Sequence, residues 1–147
     1  MPRADPKAGF TLIEMLAVMS IIALVASLVT MVVPGTGRAG LEAAAMKTAA
    51  LMRRERLAAI LTRSDRHISL DGGRRELIGD DGGVVVIPRD VVVNLLGADA
   101  TWSGRLAVVV FHPDGASSGV VLKLSRERAQ YEIRVNWYTG GVSVGAL

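Results

Sequence analysis

Hydrophobic and polar residues follow three different patterns along the chain. From Phe10 to Val33 the sequence is apolar except for Glu14 and a few hydroxyl side chains, which predicts a helix with no polar face. This run exceeds the about 20 residues that a helix needs to cross a hydrocarbon core of about 30 Å. From Gly40 to about Arg63 apolar residues recur every three or four positions, which predicts an amphipathic helix.

One face of the second helix carries mainly apolar residues. The expected members are Leu41, Ala45, Thr48, Met52, Glu55 and Ala59, with Ala44, Leu51, Ala58 and Leu61 alongside. Between the two helical patterns lies Pro34-Gly35-Thr36-Gly37, which is expected to break or kink the helix because proline removes a backbone donor and glycine lowers helix propensity.

After residue 64 short apolar runs alternate with turn signals, which predicts strands. The expected strands are His67–Leu70, Arg74–Ile78, Val84–Ile87, Val91–Leu96, Leu106–Phe111, Val120–Leu124, Tyr131–Trp137 and Gly141–Val144. In Tyr131–Trp137 every second residue is apolar, Trp137 included, which indicates one buried face. The fold class predicted is α+β, with one long N-terminal helix followed by an all-antiparallel, β-sandwich-like head.

Composition excludes several kinds of site. The chain has no cysteine, so it contains no disulfide, no zinc knuckle and no thiol nucleophile. It also lacks a P-loop or H-E-x-x-H pattern. We therefore expect no enzymatic activity, no catalytic residue, no cofactor and no metal.

The charges at the two ends of the apolar run differ. Arg3 and Lys7 precede the run, whereas the first basic residue after it is Arg38. The positive-inside rule therefore predicts a single membrane pass with a cytoplasmic N-terminus and residues 35–147 on the outer side.

A few other residues could carry chemistry. His112 lies beside Asp114, and Asp80-Asp81 could help to bind calcium, but both carboxylate positions are more typical of turns. The arginines at positions 53–66 are interpreted as a solvated helix face or a subunit contact, with binding of nucleic acid as the alternative.

The start of the chain admits two ordinary interpretations. A secretory signal peptide could be cleaved after Val25-Ala26-Ser27, which would leave Leu28 as the new N-terminus. However, Glu14 interrupts the run where a signal peptide is most apolar, and the run continues beyond Ser27. A plain signal anchor explains the apolar run but not the spacing of Gly9, Phe10 and Glu14.

Gly9, Phe10 and Glu14, directly before an apolar run and after a short basic leader, resemble the prepilin-peptidase cleavage motif of type IV pilins and type II secretion pseudopilins. The resemblance implies cleavage between Gly9 and Phe10 and methylation of the new Phe10 amine. It also implies that Glu14 pairs with the N-terminal amine of a neighbouring subunit. The expected partners are prepilin peptidase, other major and minor pseudopilins and, before assembly, the inner membrane.

A second resemblance lies at the C-terminal end. The signature of the GspH/FimT pseudopilin domain is resembled by Phe111-His112-Pro113-Asp114-Gly115, the turn Ala116–Gly119, the strands Val121–Leu124 and Tyr131–Val135, and Thr139-Gly140. The two resemblances imply a leader at residues 1–9, a membrane or filament-core helix at 10–33, its second half at 34–63 and a globular head at 64–147.

The implied function is that of a structural minor pseudopilin of a type II secretion system. It would assemble into the periplasmic pseudopilus, near its tip, and support protein export. The alternative is a FimT-type minor pilin that serves pilus assembly or DNA uptake, and a third is a signal-anchored periplasmic enzyme. Nucleic acid is not an expected partner, because no lysine or arginine follows Arg134 where a basic C-terminal segment would be needed.

Overall fold

The computed structural model describes residues 11–32, 37–97, 100–102 and 105–147. The chain divides into two compact units, Met1–Pro34 and Gly35–Leu147, which are described separately.

The first unit contains helix α1, Leu12–Val32. The side chains described in it, up to Ser27, are exposed, and most of them are apolar. The hydroxyl groups of Ser20 and Ser27 donate to the carbonyl oxygens of Leu16 and Leu24, both over 2.8 Å, as expected for hydroxyl side chains in an apolar helix. Within the described part of the chain, no helix combines the length and the apolar character that a membrane crossing needs.

The second unit begins with helix α2, Arg38–Thr62. The helix therefore starts two residues before the predicted Gly40. Gly37 is its N-cap with φ of 82°, and Arg63, in the left-handed conformation with φ of 53°, ends it. Of the predicted break at residues 34–37, only Gly37 lies among the described residues.

Nine strands follow α2 within the described residues and form two antiparallel sheets. The strands are β1 (Arg66–Asp71), β2 (Glu76–Gly79), β3 (Val84–Val86), β4 (Val92–Leu96), β5 (Ala100–Trp102), β6 (Arg105–Phe111), β7 (Val120–Arg126), β8 (Ala129–Val135) and β9 (Val142–Ala146). The five-stranded sheet has the order β3-β2-β1-β6-β5, and the four-stranded sheet has the order β4-β7-β8-β9. The predicted fold class, helix first and antiparallel sheets afterwards, is confirmed.

The core of this unit lies between α2 and the two sheets, since α2 contacts strands of both. The predicted inner face of the helix is confirmed, because Leu41, Ala45, Thr48, Met52, Glu55 and Ala59 are all buried. Leu61 is a wrong prediction: it is 73% exposed, because it lies about 200° around the helix from the buried Ala59.

Two strand predictions were wrong or incomplete. β8 ends at Val135, and Trp137 is 67% exposed rather than buried. The reason is a turn at Asn136, whose Oδ1 accepts hydrogen bonds from the backbone N–H groups of Tyr138 and Thr139. The short strand β5 was not predicted, because it is only three residues long and its apolar pattern is too short to recognise.

Two turns of the C-terminal signature meet at one arginine of α2. Arg56 Nε donates to the carbonyl oxygen of Gly115 over 3.1 Å. Gly140, with φ of 60°, lies against the same carbonyl, and a Cβ atom at Gly140 would overlap it. The turn that contains Gly115 is also tied to the second turn by the Ser117 N–H, which donates to the Trp137 carbonyl oxygen over 2.8 Å. Both turns are therefore fixed to each other and to the helix.

Gly140→Ala is expected to lower the free energy of unfolding by more than about 1 kcal/mol, because the residue has a left-handed φ and no room for a side chain. Gly72→Ala is the matched control, since no atom lies within 4 Å of a Cβ there. Urea unfolding of the full chain in detergent would measure both variants. Equal midpoints for the two variants would contradict the packing at Gly140.

Candidate functional site

The candidate site suggested by the sequence lies at the start of α1. Gly9 and Phe10 are outside the described residues, so the structure does not test the predicted cleavage site. Glu14 is described; it lies in the first turn of α1 and is exposed.

Glu14 and Thr11 cap the N-terminus of α1 reciprocally. The backbone N–H of Glu14 lies 3.3 Å from the hydroxyl oxygen of Thr11 and donates to it. In return, the backbone N–H of Thr11 donates to Glu14 Oε2 over 3.5 Å. This T-x-x-E arrangement is a capping box, which satisfies two backbone donors that a helix N-terminus otherwise leaves without partners.

The capping box decides where the carboxylate of Glu14 lies. It holds the negative charge at the positive end of the helix dipole, beside the backbone that leads to residue 10. The bond to Oε2 is long, and a carboxylate can accept several hydrogen bonds. A cationic group that approaches the helix start could therefore bind Glu14, either in addition to the Thr11 N–H or in its place.

Thr11 was not among the residues predicted from the sequence. Its signal was nevertheless present, because a threonine three residues before a glutamate at the start of an apolar run is the pattern of a capping box.

The surface that follows Glu14 is apolar on every side of the helix. The exposed large side chains include Leu12, Ile13, Met15, Leu16, Met19 and Ile22. A helix without a polar face is stable only when lipid or other protein segments cover it. The first unit therefore combines one carboxylate at the helix start with an apolar surface that requires a partner.

The other residues considered as candidates have structural roles. Asp114 Oδ1 accepts the N–H of Ala116 over 2.9 Å, which confirms that it stabilises its own turn. His112 Nδ1 lies 3.0 Å from Asp65 Oδ1. Asp81 Oδ1 accepts the N–H of Gly83, so the interpretation of this region as a hairpin turn is also confirmed. In the part of the chain that the structure describes, no group of three or more histidine, aspartate and glutamate side chains could hold a metal ion.

The arginines of α2 bind acceptors of their own unit. Arg53 donates to the carbonyl oxygen of Val142 over 3.1 Å, and Arg54 forms an ion pair with Asp81 over 2.6 Å. Arg56 donates to the Gly115 carbonyl, as described above. These arginines attach the helix to turns and strands of the same unit, and Arg53 and Arg54 remain exposed, as expected for a solvated helix face.

Comparison with known proteins gives three matches. Residues 5–30 match the family model described as the prokaryotic N-terminal methylation motif. The chain is 32% identical over 142 residues to type II secretion system protein H of Xanthomonas campestris pv. campestris, a match that covers 95% of this chain and 83% of that protein.

The third match is to a solved structure, that of the minor pseudopilin EpsH from the type 2 secretion system of Vibrio cholerae. The TM-score is 0.57, and the match covers 71% of this chain and 95% of the other. The sequence identity is 12%, so this similarity shows a common fold.

The capping box predicts the effect of replacing Thr11. Thr11→Val keeps the shape of the side chain but removes the hydroxyl acceptor, and we expect it to destabilise the start of α1 by about 0.5–2 kcal/mol. Thr11→Ser retains the hydroxyl group and should preserve the cap. Hydrogen exchange at the amides of residues 12–15, measured on the full chain in detergent micelles, would report the difference. Equal exchange in the valine and serine variants would refute the capping box.

Proposed function

The chain belongs to the type II secretion system protein H family of minor pseudopilins, and we propose how its N-terminal residues serve processing and assembly. The relatives found are structural subunits of a secretion machine. We assign the same structural, non-catalytic role to this chain. Processing by prepilin peptidase is implied by the N-terminal methylation motif at residues 5–30.

The first part of the proposal is the processing site. We place cleavage between Gly9 and Phe10 and methylation on the amine of Phe10. The match to the methylation motif includes both residues, which supports this choice. A glycine before the scissile bond also allows another backbone to approach closely, since it carries no Cβ atom.

The second part is the role of Glu14. We propose that its carboxylate pairs with the N-terminal amine of a neighbouring pseudopilin as that subunit joins the filament. The observation that carries this proposal is the position of Glu14 in the first turn of α1, exposed and oriented by Thr11. A charge pair within an apolar helix bundle fixes the register of the helices more than it adds stability. The apolar side chains of α1 would provide the packing area.

The third part is the location. We propose that residues 10–33 anchor the chain in the inner membrane before assembly, with the N-terminus cytoplasmic and residues 35–147 periplasmic. The basic residues Arg3 and Lys7 before the apolar run support this orientation. The exposed apolar side chains of α1 support a lipid environment or a helix bundle. A position near the tip of the pseudopilus stays a prediction.

Glu14→Ala is expected to leave cleavage intact but to reduce incorporation into the pseudopilus at least several-fold, because both the charge and the cap are lost. Glu14→Gln separates the two roles, since the amide oxygen can still accept the Thr11 N–H while the charge is absent. Crosslinking to other pseudopilins in cells, together with export of a secreted substrate, would measure assembly. Glu42→Ala removes an exposed glutamate from α2 and is the matched control. Normal assembly of both Glu14 variants would refute the pairing.

Mass spectrometry of the mature protein tests the processing site directly. The expected N-terminal peptide begins at Phe10 and carries one additional methyl group. A peptide that begins at Leu28 would instead indicate a signal peptidase, and an intact leader would indicate a plain anchor.

A further inference from the structure

A glutamate lies in the core of the second unit. Glu55 is 0% exposed, and its neighbours on the inner face of α2 include the apolar side chains of Met52 and Ala59. Burial of an ionised carboxylate is costly unless hydrogen bonds or a cation compensate for the lost water. The contacts of Glu55 therefore determine whether the group can carry its charge there.

The contacts of Glu55 come from the turn between β2 and β3. The backbone N–H of Asp81 donates to Glu55 Oε1 over 3.3 Å. Gly79 lies so close that a Cβ atom there would overlap the same oxygen. The second oxygen, Oε2, is buried and accepts no hydrogen bond from any residue that the structure describes. The turn is thus closely fitted to the carboxyl group but gives it only one long hydrogen bond.

The charged groups of the turn are already paired. Asp81 forms its ion pair with Arg54 at the surface, and Asp80 Oδ2 accepts the backbone N–H of His67 over 2.8 Å. The His67 Nδ1 lies 3.0 Å from the same oxygen. An ionised Glu55 would therefore face two carboxylates, while the Arg54 guanidinium is already in contact with one of them.

These surroundings have opposite effects on the two acids. The pKa of Glu55 is raised from 4.5 to about 7. Burial is the larger cause, and the interaction with the Asp81 carboxyl group is the second. The pKa of Asp81 is held well below its usual range, mainly by the Arg54 guanidinium and, to a smaller extent, by the interaction with Glu55. Below neutral pH the turn therefore contains a neutral Glu55 beside an ionised Asp81.

We propose that Glu55 is a pH-sensitive latch, which holds the β2–β3 turn on α2 while it is neutral and loosens the turn when it ionises. The fit of the turn around Glu55 and the missing partner of Oε2 are what favour the neutral form. An opened turn would uncover Leu51 and Val85, which are buried in the closed state. The turn joins β2 to β3, the end strand of the five-stranded sheet, so opening it would loosen the edge of that sheet. This inference stands independently of the function proposed above.

The direction of the pH effect follows from linkage. The pKa of Glu55 is higher in the closed state than in an opened state, where water restores its ordinary value. The stabilisation of the closed turn is therefore complete below about pH 4.5 and is lost as the pH rises through about 7. The Asp81–Arg54 ion pair has the opposite pH dependence. Because the pKa of Asp81 is lowered in the closed state, the stabilisation that this pair provides is lost as the pH falls, and only at strongly acidic pH.

Hydrogen exchange of the full chain in detergent, between pH 5 and 8 and corrected for the intrinsic exchange rate, tests the latch. We expect the protection of the amides of residues 79–83 to decrease between pH 5 and 8, mostly below pH 7. The pKa values of 4.5 and about 7 limit the decrease to roughly 300-fold over the whole titration and to roughly 70-fold between pH 5 and 8. The amides of the β7–β8 pair serve as an internal control that should not change.

Glu55→Gln should keep these amides protected across the whole pH range, whereas Glu42→Gln, an exposed glutamate of the same helix, should behave as the unsubstituted chain. His67→Gln removes the imidazole beside Asp80 and should retain the pH dependence. The same pH profile in Glu55→Gln and the unsubstituted chain would overturn the proposal.

Infrared spectroscopy keeps the proposal testable if Glu55→Gln fails to fold. The full unsubstituted chain should then show a protonated carboxyl band that persists at pH 6. The absence of that band would also overturn the latch.

Discussion

The burial of one face of α2 is the constraint on which the second unit depends. This helix contacts strands of both sheets, and its buried face belongs to the core that the two sheets share. Small residues such as Ala45, Ala49 and Ala59 are fully buried on that face, which lets the sheets approach the helix closely. The polar groups at the margins of the contact then fix the turns: Arg54 binds the β2–β3 turn and Arg56 binds the Gly115 carbonyl. Apolar burial supplies the attraction, and the arginines select one arrangement of the turns.

Much of this arrangement could be predicted from the sequence, because its periodicity is strong where the elements are long. The buried face of α2 follows from the spacing of Leu41, Ala45 and Met52, and the alternation of Tyr131, Ile133 and Val135 identifies β8. The pattern fails where a local turn overrides it. Trp137 continues the alternation along the chain, but the side chain of Asn136 caps a turn before it, and the tryptophan is exposed.

The candidate sites show a different limit. Glu14 could be identified because a carboxylate at the start of an apolar run is conspicuous, and its spacing with Gly9 and Phe10 resembles the pilin processing motif. The role of Thr11 was missed, although the capping-box spacing was present. For Glu55, the helical period correctly predicts the buried face of α2, but it does not predict which residues the buried carboxyl group contacts. The burial of Oε2 without a partner among the described residues, and the close approach of Gly79, depend on residues more than 20 positions away, which no local pattern can reveal.

The hydrogen bond between Arg56 and the Gly115 carbonyl joins residues that are 59 positions apart, and Gly140, still further along the chain, packs against the same carbonyl. Contacts of such long sequence separation slow folding, because much of the chain must be ordered before they form. The second unit therefore cannot close its core until almost all of the chain has been synthesised. By that time α1 has long been complete, so the membrane anchoring proposed above would precede folding of the second unit.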